Sequence, residues 1–260
     1  MDGPTYTFLA CDRETDEVIA ELPITGAKWG RVLGGTGSFA GKVTLGDPDR
    51  TDLVEATEPN KVSLYVDRDG DLIWGGILWG RKYDSKTNTP EISGVEFFSY
   101  FVRRVLRVDS TTLFADSDVD QFDIMRAFVD YVQSESGGDL GIVYDTDDSG
   151  ILRDRSWESY ELKEIGEAMT QLSEVIDGFD FEIGVRYSTI GVPEKYLGLY
   201  YPRRGVDASI TQAVFERPGN IISYTFTEDG TKQATRTFAT GSGEGDDMKL
   251  AVHQSAAVVD

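Results

Sequence analysis

Apolar and polar residues alternate along much of this chain, and a period of two predicts short antiparallel strands. The cleanest case is Val62-Ser63-Leu64-Tyr65-Val66, where positions 62, 64 and 66 share one face. Asp69-Gly70 supplies the positive φ angles that a two-residue hairpin turn requires. The pattern then returns from Leu72 to Tyr83, carrying Trp74, Trp79 and glycines at 75, 76 and 80. Glycine inside a strand predicts a bulge or close approach by another backbone. Wide aromatics beside glycines predict a strongly bent strand, as at the corner of a small barrel, with the bulge at Gly75-Gly76. After a polar loop, Ile92 to Val108 holds Phe97, Phe98, Tyr100, Phe101, Val102 and Val105, and its apolar set ends in Arg103, Arg104 and Arg107. This block is read as the closing half of an antiparallel β-domain that exits near residue 108.

Upstream, strands are predicted at Thr5 to Ala10, at Val18 to Leu22 and at Phe39 to Leu45, with a glycine-rich loop at 34–38. A turn-rich stretch at 47–59 leaves room for a short helix around Asp52-Leu53-Val54. Beyond 109 the period changes. Phe122, Met125, Phe128, Val129 and Val132 fall on one side of a helix near 120–134, with Asp118 or Asp120 as N-cap and Gly137-Gly138 as its stop. A second helix is predicted over 159–176 from Leu162, Ile165, Met169, Leu172, Val175 and Ile176. Alternation resumes in a hairpin at 179–201, then in Ile221 to Phe226, a turn at Glu228-Asp229-Gly230 and a return over 233–240. An acidic loop at 241–247 precedes a last apolar stretch from Leu250 to Val259. The fold class expected is α+β, mainly antiparallel β. One arrangement makes 109–215 an inserted α+β region, with 216–260 returning to the β-domain of 1–108; separate linear modules are the alternative.

Composition narrows the chemistry. The 260 residues include one cysteine, Cys11, and one histidine, His253, so an intramolecular disulfide and multi-histidine or multi-cysteine zinc sites are absent. No run of about 18 apolar residues occurs, which predicts no membrane-spanning helix. Met1-Asp2-Gly3-Pro4 lacks the basic and apolar regions of a secretory signal, so a soluble protein made in the cytoplasm is expected. The net charge of −21, from 46 acidic and 25 basic side chains, repels nucleic-acid phosphates. It fits a solubility surface, a high-salt host, or a passage through which DNA slides without adhering.

Several constellations invite a chemical reading. GGTGSFAG at 34–41 lacks the Gly-Lys-Ser/Thr ending of a nucleotide loop and leads into a strand, so it is read as a hairpin loop. Asp67, Asp69 and Asp71 begin like a calcium loop but carry Leu78 at the twelfth position, and a hairpin turn is the better reading. Asp145 to Gly150 is better spaced, with Gly150 sixth, but Ser156 stands twelfth. Trp74 and Trp79, five apart, fall on opposite strand faces unless the Gly75-Gly76 bulge reorients one, and core or subunit packing is expected of them. The arginines at 103, 104 and 107 suit an acidic partner, a solvated edge or subunit salt bridges. No Gly-x-Ser-x-Gly elbow occurs, and no carboxylate pair is singled out. No catalytic, cofactor-binding or metal-ligating residue is therefore assigned.

Three stretches together resemble the minor tail proteins of long-tailed phages of actinobacteria, in particular their tail-hub component. They are YTFLACDRETDEVIAELPITGAKWGRVLGGTGSFAGKVTL, SLYVDRDGDLIWGGILWGRKYD followed by ISGVEFFSYFVRRVL, and ERPGNIISYTFTEDGTKQATRTFATGSGEGDDMKL. The resemblance is architectural and includes no catalytic signature. It implies a non-enzymatic homotrimeric hub at the virion tail tip, whose barrel-like domains form a pseudo-sixfold ring joining the tail tube to the distal tip. The partners it implies are the distal tail protein, the tape measure protein and other tail-tip proteins, with genome DNA passing an acidic lumen unbound. On this reading 1–108 and 216–260 supply the barrels and 109–215 the outer region. The apolar ending at 256–259 reads as an unfinished strand, so that either the sequence continues or the second barrel is incomplete. Two other readings compete: a tail-associated carbohydrate-binding or glycoside-hydrolysing module, which needs aromatics and two carboxylates on one face, and a calcium-stabilised adhesion module built on Asp145 to Gly150.

Overall fold

In the computed structural model the alternating segments of the first hundred residues assemble into one seven-stranded antiparallel sheet. The structure describes residues 3–44, 51–84, 86, 89–107, 117–206, 214–217, 219, 221, 223–230 and 236–254. The strands are β1 (Tyr6–Asp12), β2 (Val18–Glu21), β3 (Ile24–Trp29), β4 (Ser38–Val43), β5 (Val62–Arg68), β6 (Asp71–Asp84) and β7 (Thr89–Glu96). Their spatial order is β2-β1-β5-β6-β7-β4-β3. The two edge strands are consecutive in the chain, parted only by Leu22 and Pro23. Leu22 N–H bonds to Phe8 on one side of this break, and Thr44 N–H bonds to the Pro23 carbonyl on the other. One stretch of chain thus serves both edges and curls the sheet into a barrel-like form, although no ladder joins β2 to β3.

Inside the curl lies a core that includes Phe8, Phe39, Leu64, Trp74, Leu78 and Ile92, closed at one end by Leu53 and Ala56 of α1 (Thr51–Glu55) and the residue after it. Strand β4 shows why: its residues alternate strictly between exposed and buried from Ser38 to Val43. β5 is different, with Val62 to Val66 all buried. Its second face, with Tyr65, joins Cys11 of β1 and Ile77 of β6 in another core on the outside of the sheet. That core is filled by α2 (Phe98–Phe101), α3 (Gln121–Ser134), α4 (Ile165–Ser173) and the hairpin of β11 (Asp180–Tyr187) and β12 (Pro193–Tyr200). Between them run three two-residue strands. β8 (Val119–Asp120) pairs with β10 (Leu152–Arg153), and β9 (Val143–Tyr144) runs parallel to β12. Residues before and after 109 thus share one core, and the compact unit extends to Gly205.

Two local expectations, the bulge at Gly75-Gly76 and the length of the 159–176 helix, need correction, and two details are added to the reading. Gly75 and Gly76 sit in regular ladder positions opposite Tyr65 and Leu64, and the β6–β7 bulge falls at Trp79, between Leu78 and Gly80. The glycines serve close approach instead: a Cβ at Gly75 would lie 2.5 Å from Val185 Cγ1, and one at Gly76 2.3 Å from the Val95 carbonyl oxygen. The stretch from 92 leaves the sheet at Glu96 and makes one helical turn, because Phe97, Phe98, Tyr100 and Phe101 are all buried and no alternation could bury four such neighbours. The helix over 159–176 is shortened. Residues 159–161 form a single 3-10 turn, Leu162 takes a left-handed conformation (φ 45°), and the α-helix begins only at Ile165. Backbone groups of 163–165 are drawn to the neighbouring segment instead, through Leu106 N–H to Lys163 and Ile165 N–H to Arg104. The strand β3 went unread in the sequence because Pro23 and a bulge around Gly26 (φ 61°) interrupt its pattern.

The second unit spans Val206–Asp260. Its regular structure, among the described residues, is an antiparallel hairpin of β13 (Arg236–Thr240) and β14 (Leu250–Gln254) around a loop with a 3-10 turn at Gly245–Asp247. Of the expected strand at 221–226, the described residues 221 and 223–226 join no ladder, with Tyr224 and Phe226 exposed. Residues 236–240 pair with the chain beyond the acidic loop instead of with this stretch. The sequence expectations at 47–49, 110–116, 233–235 and 256–259 lie outside the described residues.

Gly75→Ala is expected to cost about 1–3 kcal/mol by forcing a methyl group against Val185, Tyr65 and Phe97. Adding Val185→Ala should return part of that loss, and chemical denaturation of the two variants checks it.

Candidate functional site

Two clusters of buried charge join the sheet to the layer that covers it. At the first, Lys195 points inward from β12 and is fully buried. Its ammonium meets both carboxylate oxygens of Asp16 at 2.6 and 2.5 Å and donates to the Leu140 carbonyl at 2.8 Å, with the Arg13 carbonyl at 3.3 Å. Tyr65 donates its hydroxyl to the same carboxylate at 2.6 Å, and Phe97 lays its ring 5.2 Å from the amine. Asp16 reaches this position because the β1–β2 turn is tied locally: the Asp12 carboxylate accepts the N–H groups of Glu14 and Thr15, and Asp16 itself is left-handed (φ 56°). Burial pushes the Asp16 carboxyl up and the Lys195 amine down, each opposed by the other's charge. Every donor of the ammonium has an acceptor, so the arrangement holds a charge and offers no free reactive group.

At the second place, Glu96 at the end of β7 and Glu182 on β11 share Arg31. The guanidinium lies 3.6 Å from Glu96 and 2.6 Å from Glu182. Glu182 also takes Arg204 at 2.7 Å and the hydroxyls of Tyr196 and Tyr200 at 3.2 and 2.8 Å. Glu96 accepts the backbone N–H groups of Val32 and Gly37, at 3.1 and 2.6 Å. Burial raises the Glu96 carboxyl pKa, against those two N–H donors and Arg31. These groups line a cavity of about 40 Å³, room for a water molecule and far below the roughly 300–1,000 Å³ of a small-molecule site.

The residues weighed from sequence are placed as follows. The glycine-rich loop turns between β3 and β4; its Gly37 N–H goes to the Glu96 carboxylate, while Gly34 and Gly35 donate to the Phe181 and Val32 carbonyls. Asp67 accepts from Gly70 N–H and from the Tyr187 hydroxyl, and Asp69 from Thr5 N–H, so this trio shapes the β5–β6 turn. In the loop from Asp145, the N–H groups of Ser149 and Gly150 point at Asp120, the N-cap of α3. Among the described residues no three acidic, histidine or cysteine side chains form a group that could hold a metal ion. Trp74 is buried against Phe39 inside the curl, its Nε1 on the Gly30 carbonyl; Trp79 packs outward, its Nε1 on Ser99 and Arg103 stacked 4.1 Å above it. Arg104 stacks on Tyr100 and bonds to its hydroxyl, while Arg107 is exposed. His253 lies on β14 opposite Thr237. Sequence reasoning passed over Asp16, Lys195, Glu96 and Glu182. Two of them carried a signal: Lys195 and Glu96 stand in the apolar phase of their strands, where a charge demands a buried partner.

No protein-family model and no curated protein sequence matches the chain. Solved structures do. A tail protein from Neisseria meningitidis superposes with a TM-score of 0.51 at 11% identity, over 98% of this chain and 68% of that one. A prophage tail protein from Listeria monocytogenes gives 0.44 at 12%, over 96% of this chain and 68% of its own, and a Francisella PdpA–VgrG complex 0.48 at 9%, over 81% and 33%. The first of these carries the comparison, and at 11% identity it is a statement about fold: this chain has the mainly antiparallel β architecture, with a few helices, of that tail protein.

Lys195→Met is expected to cost about 3–5 kcal/mol by stranding the Asp16 carboxylate, and Lys195→Met with Asp16→Asn distinctly less; denaturant unfolding compares them. The Cys11 thiol, beside this pair, is pushed from 9.0 to about 12 by burial and by the Asp16 charge. Its folded pKa lies above its unfolded one, so it contributes stability that is complete below pH 9.0 and is lost as pH rises toward about 12. Stability measured across that range should fall less steeply in Cys11→Ala than in the wild type.

Proposed function

We propose that this chain is a structural protein of a phage tail, and in finer detail the hub at the tail tip of a long-tailed phage of actinobacteria. The observation that carries the reading is the fold comparison, which runs over 98% of the chain against a protein described as a tail protein. The sequence resemblance supports it independently, because its three stretches come from β1 to β4, from β5 to α2 and from the second unit. As a hub the chain forms a homotrimeric ring that joins the tail tube to the distal tip, beside the distal tail protein and the tape measure protein. The barrel-like sheet supplies one ring domain, and the β-segment from 216 contributes to a second. The excess of 46 acidic over 25 basic side chains suits a channel wall that DNA passes without sticking.

The role is mechanical and calls for no catalytic group. Its buried charges are consumed in holding layers together, as Lys195 and Glu182 show. A glycan-hydrolysing site would need two carboxylates facing an open cleft with aromatic platforms. Glu96 and Glu182 face a space of only about 40 Å³ between Arg31 and Arg204, and Trp74 is buried, so no observation favours that reading.

Gold-labelled antibody against the purified chain, applied to phage particles that carry it, is expected to mark the distal end of the tail. Label on the head, along the tube, or on no part of the particle would overturn the proposal.

A further inference from the structure

The outer face of the seven-stranded sheet is only partly covered. β1, β5 and the first half of β6 send Cys11, Tyr65 and Ile77 into the outer core, whereas β3, β4, β7 and the second half of β6 face solvent. The register sets out what this bare face presents. Lys28, Ala40, Ser93 and Gly80 follow one another across the strands in one row, and Lys42, Glu91 and Lys82 in the next. These residues line an open groove of about 590 Å³, floored by small side chains and walled by charge; Arg81, opposite Ile92, turns its guanidinium to the other face.

Three lysines and one carboxylate make this groove an exception in a chain of net charge −21. Local pairing does not account for it. Lys42 meets Glu91 at 3.2 Å and Arg81 donates to the Val54 carbonyl and Thr57, but Lys28 and Lys82 have no partner among the described residues. Edge protection explains a lysine on an outermost strand such as β3, but β4 and β6 are interior strands. The complement stands elsewhere on the same unit. Asp145, Asp147 and Asp148 are exposed in a loop of the covering layer, where their one ion-pair contact among the described residues is Asp148 with Arg126 at 4.0 Å.

We propose that the bare β3-β4-β7-β6 face is where a second copy of this chain docks, its loop from Asp145 to Asp148 entering the groove between Lys28, Lys42 and Lys82. The proposal rests on the hub reading and names the surfaces that build its ring. Groove and loop are different patches of one unit, so every copy offers both and the contact is head-to-tail, the kind that closes into a ring when the rotation allows. The chain itself supplies both charges, which is why the occupant is another copy and not a foreign acidic protein.

Sedimentation velocity on the full chain tests this at low and high salt. The wild type should self-associate, with an apparent Kd that weakens about tenfold or more as salt screens the contact. Lys28→Glu with Lys82→Glu, and separately Asp145→Lys with Asp147→Lys, should each weaken association at least about tenfold while the melting temperature holds. A chain carrying all four substitutions should regain it. Association that ignores either pair, or that the combined chain does not recover, overturns the proposal and leaves the hub reading standing on the gold-labelling result. A wild type that stays monomeric at both salts overturns it as well.

Discussion

The ammonium of Lys195 cannot be buried alone, and the arrangement of the first unit follows from how it is satisfied. Its acceptors come from distant parts of the chain: the β1–β2 turn through Asp16, and the segment after α3 through Leu140. An isolated ammonium in such a place would lose several kcal/mol of solvation, so the turn, the segment and β12 must be in register together. Tyr65, which gives its hydroxyl to the same carboxylate, belongs to a strand buried on both faces. The pair acts as a locating pin between a sheet and its cover, a role a purely apolar contact fills less selectively because it tolerates sliding.

The same constraint divides the sheet. Where the cover is pinned, outward positions carry Cys11, Tyr65 and Ile77, and Gly75 gives up its side chain so that Val185 and Phe97 can approach. Beyond the bulge at Trp79 the strands emerge from under it, and their outward positions turn to lysine, serine and glycine. The Arg31–Glu96–Glu182 group stands near this transition, tying the β3–β4 loop and β7 to the hairpin. Both buried polar groups thus do structural work at the seam, and what remains for function is shape and surface charge. That balance agrees with a protein whose task is to fit against others.

Much of the architecture was legible in the chain. Strict alternation in β4, the Asp69-Gly70 turn, the helix capped by Asp120 and the hairpin of β11 and β12 each rest on interactions between near neighbours in sequence. Local signals misled where a distant partner outbid them. The spacing of Leu162 and Ile165 reads as helix, yet residues 163–165 bond to 104–106 and Leu162 turns left-handed. Ile221 to Phe226 alternates like a strand, but its described residues join no ladder while β13 pairs with β14.

By itself the sequence determined the class of structure, the want of histidine and cysteine chemistry, and the acidity that any function must accommodate, since these depend on composition and short-range periodicity. Only the tertiary structure decided that Lys195 meets Asp16 across 179 residues, that Glu96 and Glu182 share Arg31, and that three lysines converge on one bare face. Charges in a sequence are known by number; their partners are set by which strands lie side by side, and that is fixed by long-range packing.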